Sequence, residues 1–136
     1  MFLKLSNKIH QLTFLILLLI VARQDSLIAQ SKALVVQFSD TASVYQQILS
    51  GPPQTASMES GVVVLSPSKS VGKHSTKSYE EAVVILSGTG EMRITGGQTF
   101  KLMPNCVAYC PPNTEHDVIN TGSQPLRYLY MAAKRK

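Results

Sequence analysis

From Gln30 onward the chain is a succession of short apolar runs that turn residues separate. No stretch there keeps a helical period over three turns, and runs rich in β-branched residues about every eight to twelve positions are typical of an antiparallel sandwich or small barrel. We therefore predict an all-β fold, in which Thr41–Leu49 forms either a short helix or an irregular arm. The predicted strands are Ala33–Phe38, Gly61–Leu65, Ala82–Leu86, Glu91–Thr95, Gln98–Leu102, Cys106–Cys110, Asp117–Asn120 and Leu126–Ala132.

The N-terminal segment has the pattern of a secretory signal. Lys4 and Lys8 precede Leu12–Ala22, an apolar run interrupted only by Thr13. This run is too short for the roughly 20 residues that span a bilayer as a helix, although an uncleaved anchor is the alternative. Small residues then predict cleavage between positions 29 and 33. We expect residues 1–29 to be a signal peptide, 34–57 an N-terminal strand and arm, and 58–133 a barrel that is secreted or periplasmic, with no membrane attachment after cleavage.

The distribution of charge argues against nucleic-acid binding. The formal charge is +5, from 13 Lys and Arg against 8 Asp and Glu. Between positions 30 and 133, however, basic and acidic residues are equal in number, so the body of the protein lacks the clustered basic surface that nucleic acid requires.

The two cysteines, Cys106 and Cys110, lie on one predicted strand. Four residues of extended chain span about 13 Å, whereas a disulfide needs Cα atoms within about 7 Å. We expect both thiols to stay unbridged within one chain and to pack with Ala108 inside the barrel. Tyr128 and Tyr130 also share a strand face, and wall packing is favoured over ligand contact for them.

Three metal-ligating side chains stand at the starts of strands. His74 and Glu81 bracket a polar segment before the run 82–86, and His116 precedes the run 117–120. The remaining histidine, His10, lies in the expected signal. Glu80 and Glu81 must point to opposite faces of an extended strand, so only one of them can face the interior.

The spacing of these residues resembles the cupins, small barrels of the double-stranded β-helix (jelly-roll) kind, and in particular the single-domain conserved-barrel type. The first family motif matches at Ser68, His74, Thr76, Glu81 and Gly88. The second motif matches, with every spacing kept, at Asn105, Pro111-Pro112-Asn113, His116 and Asn120. Together they cover roughly residues 60–133.

The resemblance implies a metal site and marks how this chain departs from the family. In the family two histidines of the first motif, its glutamate and the histidine of the second motif hold one metal ion. Thr76 replaces the second of those ligands, which leaves His74, Glu81 and His116, with Thr76 lining the pocket. Asn105 and Asn113 replace turn glycines, and asparagine tolerates a left-handed backbone.

Two histidines and one carboxylate suit a mononuclear site for a divalent Fe, Mn, Zn or Ni ion with open positions. The alternative is that the loss of one ligand has abolished metal binding. The resemblance therefore allows an exported metal-dependent dioxygenase, isomerase or lyase acting on a small sugar or organic acid, with Tyr79, Lys77 or Thr76 at the mouth. The alternative is a non-catalytic ligand-binding or structural module. A homodimer is also expected, with segment 34–57 as a swapped arm or a lid.

Overall fold

A computed structural model describes residues 32–40 and 44–134. Within these ranges the regular elements are all strands: β1 (Tyr45–Ser50), β2 (Met58–Leu65), β3 (His74–Ser75), β4 (Tyr79–Ser87), β5 (Gly90–Ile94), β6 (Thr99–Leu102), β7 (Val107–Cys110), β8 (Glu115–Ile119) and β9 (Leu126–Lys134).

Two antiparallel sheets make up the fold. One has the order β1-β2-β9-β4-β7, and the other has the order β3-β8-β5-β6. Because β3 and β4 are joined by a short turn but lie in different sheets, the chain crosses between the sheets next to His74. This arrangement agrees with the all-β, double-stranded β-helix prediction.

The inner face of the larger sheet follows from its register. Glu59 on β2, Ala132 on β9, Glu81 on β4 and Cys110 on β7 are successive cross-strand partners. Side chains at every second position along these strands share this face. They contribute six of the nine core residues, namely Leu65, Val83, Ile85, Cys110, Leu126 and Tyr128. The buried apolar core consists of Leu65, Val83, Ile85, Met92, Leu102, Cys110, Val118, Leu126 and Tyr128.

The prediction of a strand over Ala33–Phe38 is wrong. Residues 32–39 form no strand, and Val35 is 99% exposed. A β-branched run becomes a strand only where a neighbour completes its hydrogen bonds, and the outer edge of β2 is already occupied by β1. The segment instead contacts Arg127, whose guanidinium donates a hydrogen bond to the Ser39 carbonyl and lies over the Phe38 ring.

The segment for which a helix or an irregular arm was predicted is neither, where the structure describes it. Tyr45–Ser50 is a strand that pairs with β2, with a bulge between Gln47 and Leu49. This pairing lies within one chain, and it makes β1 an edge strand of the larger sheet. Residues 41–43 and the predicted signal peptide, residues 1–29, fall outside the described ranges.

Among the residues that the structure describes, four residues other than glycine have positive φ. Asn105 and Asn113 have φ of 66° and 60°, which confirms that asparagine here takes the left-handed backbone expected of the family glycines. Ser68, at the position of the first family glycine, does the same with φ of 64°, and so does Lys77 with φ of 50°. Ser68, Asn105 and Asn113 thus supply a left-handed backbone at three positions where the family motifs have glycine.

The part of the chain that the structure describes contains no helix with the length and apolar character needed to cross a membrane.

Candidate metal centre

Strand alternation on β4 brings Glu81 into the barrel. Glu81 shares its face with the buried Val83 and Ile85, whereas Glu80 points outward and accepts a hydrogen bond of 3.2 Å from the Tyr109 hydroxyl. The side chain of Glu81 is only 13% exposed. The structure therefore separates the two adjacent glutamates as the alternation argument requires.

His116 is fully buried on β8, between β3 and β5. Its Nε2 lies 3.3 Å from Oε2 of Glu81. Among the described residues, neither of its ring nitrogens has a hydrogen-bond partner of good geometry. A buried imidazole that leaves both nitrogens without such a partner is unusual, and a metal ion would satisfy one of them.

The ionisation of His116 reflects these neighbours. Burial by itself lowers the pKa of His116, but the Cys110 side chain and the Glu81 carboxylate outweigh burial and raise the pKa to about 10. In the metal-free protein these neighbours therefore favour the protonated ring of His116, which faces the Glu81 carboxylate.

His74 reaches the same place from the two-residue strand β3. It is the cross-strand partner of His116, and the centroids of the two rings are 4.4 Å apart. Unlike His116, His74 is exposed. Its Nδ1 lies 2.9 Å from the Gly72 carbonyl oxygen.

The structure thus brings together the three residues that the sequence singled out as ligands. His74, Glu81 and His116 each offer a ligand atom, and these atoms all lie within 4.8 Å of one another. This grouping fits a small cation by its donor chemistry, since two imidazoles and a carboxylate bind divalent transition metals. That the three residues bind a metal stays a prediction.

Thr76 lines the cavity beside these residues, but its hydroxyl is occupied by the backbone. The hydroxyl donates to the Pro111 carbonyl at 2.9 Å and accepts from the Thr114 N–H at 3.0 Å. The Thr76 N–H also donates to the Thr114 carbonyl, and the Asn113 N–H donates to the Lys77 carbonyl. Thr76, which replaces the second histidine of the first motif, therefore links the two motifs through hydrogen bonds.

A cavity of about 470 Å³ opens in front of His74 and Glu81. Its wall combines apolar side chains, hydroxyl groups, and charged groups of both signs. The lining residues are Glu59, Val63, Val71, His74, Ser75, Thr76, Lys77, Tyr79, Glu81, Val118, Tyr128, Tyr130 and Ala132. Sequence reasoning named Thr76, Lys77 and Tyr79 at this mouth and missed Glu59. The location of Glu59 in the cavity wall depends on the pairing of β2 with β9 rather than on a local motif.

Tyr128 and Tyr130 lie on the inner face of β9, and they line the cavity in addition to packing in its wall. Burial raises the pKa of Tyr128 above its usual range, and the negative charge of Glu81 adds to this. Burial also raises the pKa of Tyr130, together with its hydrogen bond to Tyr45. Both phenols therefore stay protonated and can donate hydrogen bonds to a bound molecule.

Tyr130 is held by a contact across Gly61. The hydroxyls of Tyr45 and Tyr130 are 3.0 Å apart. A Cβ on Gly61 would lie 2.8 Å from the Tyr45 ring and 2.9 Å from the Tyr130 ring. Gly61 thus leaves the space in which the two rings meet, and β1 contacts the cavity wall through Tyr130.

The cysteines are both free, as predicted. Cys110 is fully buried in the core, with its Sγ 3.3 Å from Sδ of Met92, and Cys106 and Ala108 pack against the same cluster. This arrangement confirms the expected packing role.

The comparisons with known proteins agree with this architecture. A cupin domain model matches residues 61–132, more than half of the chain. A comparison with functionally curated proteins gives no match.

Three similar solved structures are each below 25% identical to this chain and show the fold alone. An RmlC-like cupin family protein from Methanocaldococcus jannaschii has a TM-score of 0.65 at 17% identity, over 75% of this chain and 91% of that one. A cupin 2 conserved barrel domain protein from Salinispora arenicola has a TM-score of 0.63 at 21% identity, over 76% of this chain and 91% of that one. The Cnp3 cupin domain of Schizosaccharomyces pombe has a TM-score of 0.61 at 20% identity, over 67% of this chain and 64% of that one.

The two motifs, the paired sheets around one core and the match over residues 61–132 lead to one conclusion: this chain belongs to the cupin family and is a cupin-type conserved barrel.

Proposed function

We propose that this cupin binds one divalent transition metal ion through His74, Glu81 and His116, and that it holds a small polar molecule in the adjoining cavity. The observation that carries the proposal is the grouping of the three ligand atoms within 4.8 Å, next to a cavity of about 470 Å³. The volume suits a small metabolite, because ligand pockets typically measure about 300–1,000 Å³.

The donor set restricts the metal to a class. Fe, Mn, Zn and Ni all accept two imidazoles and a carboxylate, and the open positions of such a site are the ones that a ligand would use. When bound, such an ion polarises a carbonyl or carboxylate group or activates oxygen. The fold does not decide among dioxygenase, isomerase and lyase chemistry.

The cavity wall favours an organic acid over a neutral sugar. Lys77 supplies a positive charge at the mouth, and the protonated hydroxyls of Tyr128 and Tyr130 are donors to a carboxylate. Glu59 lies two strands away from Glu81 on the same face, about 10 Å at the backbone, so the opposite end of the cavity prefers a hydroxyl or amine.

Metal analysis of the purified protein tests the proposal. We expect one equivalent of a transition metal by mass spectrometry, or uptake of one equivalent of Zn²⁺ by calorimetry. Glu81→Gln should weaken Zn²⁺ binding by more than the 10- to 100-fold that loss of an outer-shell partner typically costs. Glu80→Gln is the matched control, since its carboxylate faces outward one residue away, and its affinity should equal that of the wild type. Equal effects of the two substitutions, or no metal uptake, would contradict the proposal.

The second candidate is a metal-free cupin that serves as a binding or structural module. Thr76 favours it, because this residue replaces a family ligand and its hydroxyl is hydrogen-bonded to Pro111 and Thr114. Binding of small carboxylates that is unchanged by a chelator and by Glu81→Gln would support this function and exclude the metal-dependent one.

We also propose that the protein is exported and forms a homodimer. Export is supported by the short apolar run Leu12–Ala22 after a basic start, and dimerisation by the exposed apolar side chains of Val107, Tyr109, Phe100 and Met103. The mass of the exported product tests the first proposal, and light scattering of the purified protein tests the second. An intact N-terminus or a monomeric mass would refute the corresponding proposal.

A further inference from the structure

His74 is the one proposed ligand that burial does not hold in place. It is exposed, and its strand β3 has only two residues at the edge of the smaller sheet. An exposed side chain on such a short strand would lose conformational entropy on binding a metal unless other contacts already fix its ring. The residues preceding His74 provide such contacts.

The first contact fixes which ring nitrogen carries the proton. Nδ1 of His74 lies 2.9 Å from the Gly72 carbonyl oxygen. A carbonyl oxygen only accepts hydrogen bonds, so Nδ1 must be the protonated nitrogen of the neutral ring. The lone pair then resides on Nε2, which is the nitrogen left to bind a metal.

The next contacts hold Gly72 itself. The Gly72 N–H donates to Oγ of Ser70 at 2.8 Å, and Gly72 has φ of 85°. The Ser70 hydroxyl is directed at the Asp117 carboxylate, with Oγ 2.7 Å from Oδ1 and 2.8 Å from Oδ2. A chain of hydrogen bonds therefore runs from Asp117 through Ser70 and Gly72 to the ring of His74.

We propose that Ser70 and Asp117 are positioning residues that orient His74 and fix its metal-binding tautomer. Their effect on metal affinity rests on the proposed function, whereas their effect on the His74 ring does not. Asp117 directly follows His116, and successive residues of a strand point to opposite faces. Strand β8 thus contributes one proposed ligand from its inner face and the anchor of the other from its outer face.

Two measurements on the full chain test this proposal. In metal-free protein at pH 8, long-range proton–nitrogen NMR should show His74 in the Nδ1-protonated form, and Ser70→Ala or Asp117→Ala should shift it toward a mixture of both forms. Calorimetry with Zn²⁺ should show about a tenfold lower affinity for each variant, the lower end of the range for outer-shell partners, because the contacts are exposed.

Two further variants separate positioning from general destabilisation. Ser70→Thr keeps the hydroxyl and should restore both the tautomer and the affinity to within about twofold of wild type. Ser123→Ala makes the same substitution in an exposed loop away from the site and should change neither. A wild-type tautomer in both Ser70→Ala and Asp117→Ala would overturn the proposal, as would failure of Ser70→Thr to rescue. If the wild type binds no Zn²⁺, the proposed function fails, and the tautomer measurement still decides the role of Ser70 and Asp117.

Discussion

The two cupin motifs bring a histidine to the same place by different physical means. His116, from the second motif, is fully buried on a five-residue strand that has a paired neighbour on each side. His74, from the first motif, is exposed on a two-residue edge strand. Backbone pairing and core packing position the first ring, and a few side-chain hydrogen bonds position the second.

This difference shows where the site can change without loss of the fold. A shift of His116 requires rearrangement of β8 and the core around it, which carries a large energetic cost. A shift of His74 requires only the loss of exposed hydrogen bonds, each of which contributes about 0.5–1.5 kcal/mol. The first motif is therefore the adjustable half of the site.

Removal of each histidine should give the largest effects and separate the two halves most clearly. Both His116→Ala and His74→Ala should lower Zn²⁺ affinity by more than roughly 100-fold, because each removes a ligand. Only His116→Ala should also destabilise the metal-free fold, by about 2–4 kcal/mol, since it opens a cavity in a packed interior. His74→Ala, on the surface, should stay within about 0.5 kcal/mol of wild type.

Calorimetry and urea denaturation of metal-free protein provide these two readouts. Equal stability losses for the two variants would contradict the distinction between a histidine held by core packing and one held by exposed hydrogen bonds. Retention of Zn²⁺ binding in the double variant would refute the proposed metal site.

The turns of the two motifs should differ almost as much. Gly88, in the first motif, has φ of 79°, and a Cβ there would overlap the carbonyl oxygen of Pro125 and lie 2.7 Å from Cα of Leu126. Gly88→Ala should cost about 2–4 kcal/mol, from backbone strain together with overpacking. Asn113→Gly, in the second motif, should change the free energy of unfolding by less than about 1 kcal/mol, because its φ of 60° suits either residue. Urea denaturation measures both, and a smaller loss for Gly88→Ala than for Asn113→Gly would be contrary to this expectation.

The raised pKa of His116 predicts a pH dependence of metal binding. The pKa of His116 is raised to about 10, and metal binding needs the neutral ring, so each bound ion displaces a proton. Affinity for Zn²⁺ should rise about tenfold per pH unit from pH 7 to 9, and calorimetry in buffers of different ionisation enthalpy should detect the released proton.

The metal-free fold should show the opposite trend with pH. The pKa of His116 is higher in the folded chain than the value of 6.5 expected after unfolding, so its contribution to stability is complete below pH 6.5 and is lost as pH rises toward 10. Urea denaturation across this window tests the sign. Zn²⁺ affinity and metal-free stability that both stay constant would show that His116 is neutral throughout.

The smallest expected effect on Zn²⁺ affinity concerns the junction between the motifs. Thr76→Ala leaves the Pro111 carbonyl and the Thr114 N–H without their side-chain partner and should cost about 1–2 kcal/mol. Zn²⁺ affinity should stay within about threefold of wild type, since the hydroxyl is not counted among the ligands. Thr76→Ser keeps both hydrogen bonds and is the control for stability. A loss of affinity comparable to that of His116→Ala would identify Thr76 as a ligand after all.

Sequence reasoning succeeded where local periodicity and motif spacing determine the geometry. Strand alternation separates Glu81 from Glu80, and the left-handed turns at Asn105 and Asn113 follow from the backbone preference of asparagine. The free cysteines follow from the length of extended chain between them.

It failed where distant partners decide the outcome. Ala33–Phe38 has strand-forming residues but pairs with no strand, whereas Tyr45–Ser50 pairs with β2 although its pattern is ambiguous. The hydrogen bond between Ser70 and Asp117 joins residues 47 positions apart, and no local pattern predicts it. Cleavage of residues 1–29, export and dimerisation stay predictions.

The meeting of Tyr45 and Tyr130 over Gly61 has a consequence for ligand binding. Because β1 is an edge strand with a bulge, it should open more often than the strands packed on both sides. Each opening carries Tyr45 away and frees the Tyr130 hydroxyl for a molecule in the cavity, while both histidines stay in place. Hydrogen exchange of β1 amides that is faster than that of β9, and slowed by a bound carboxylate, would show that ligand binding is coupled to the opening of this strand.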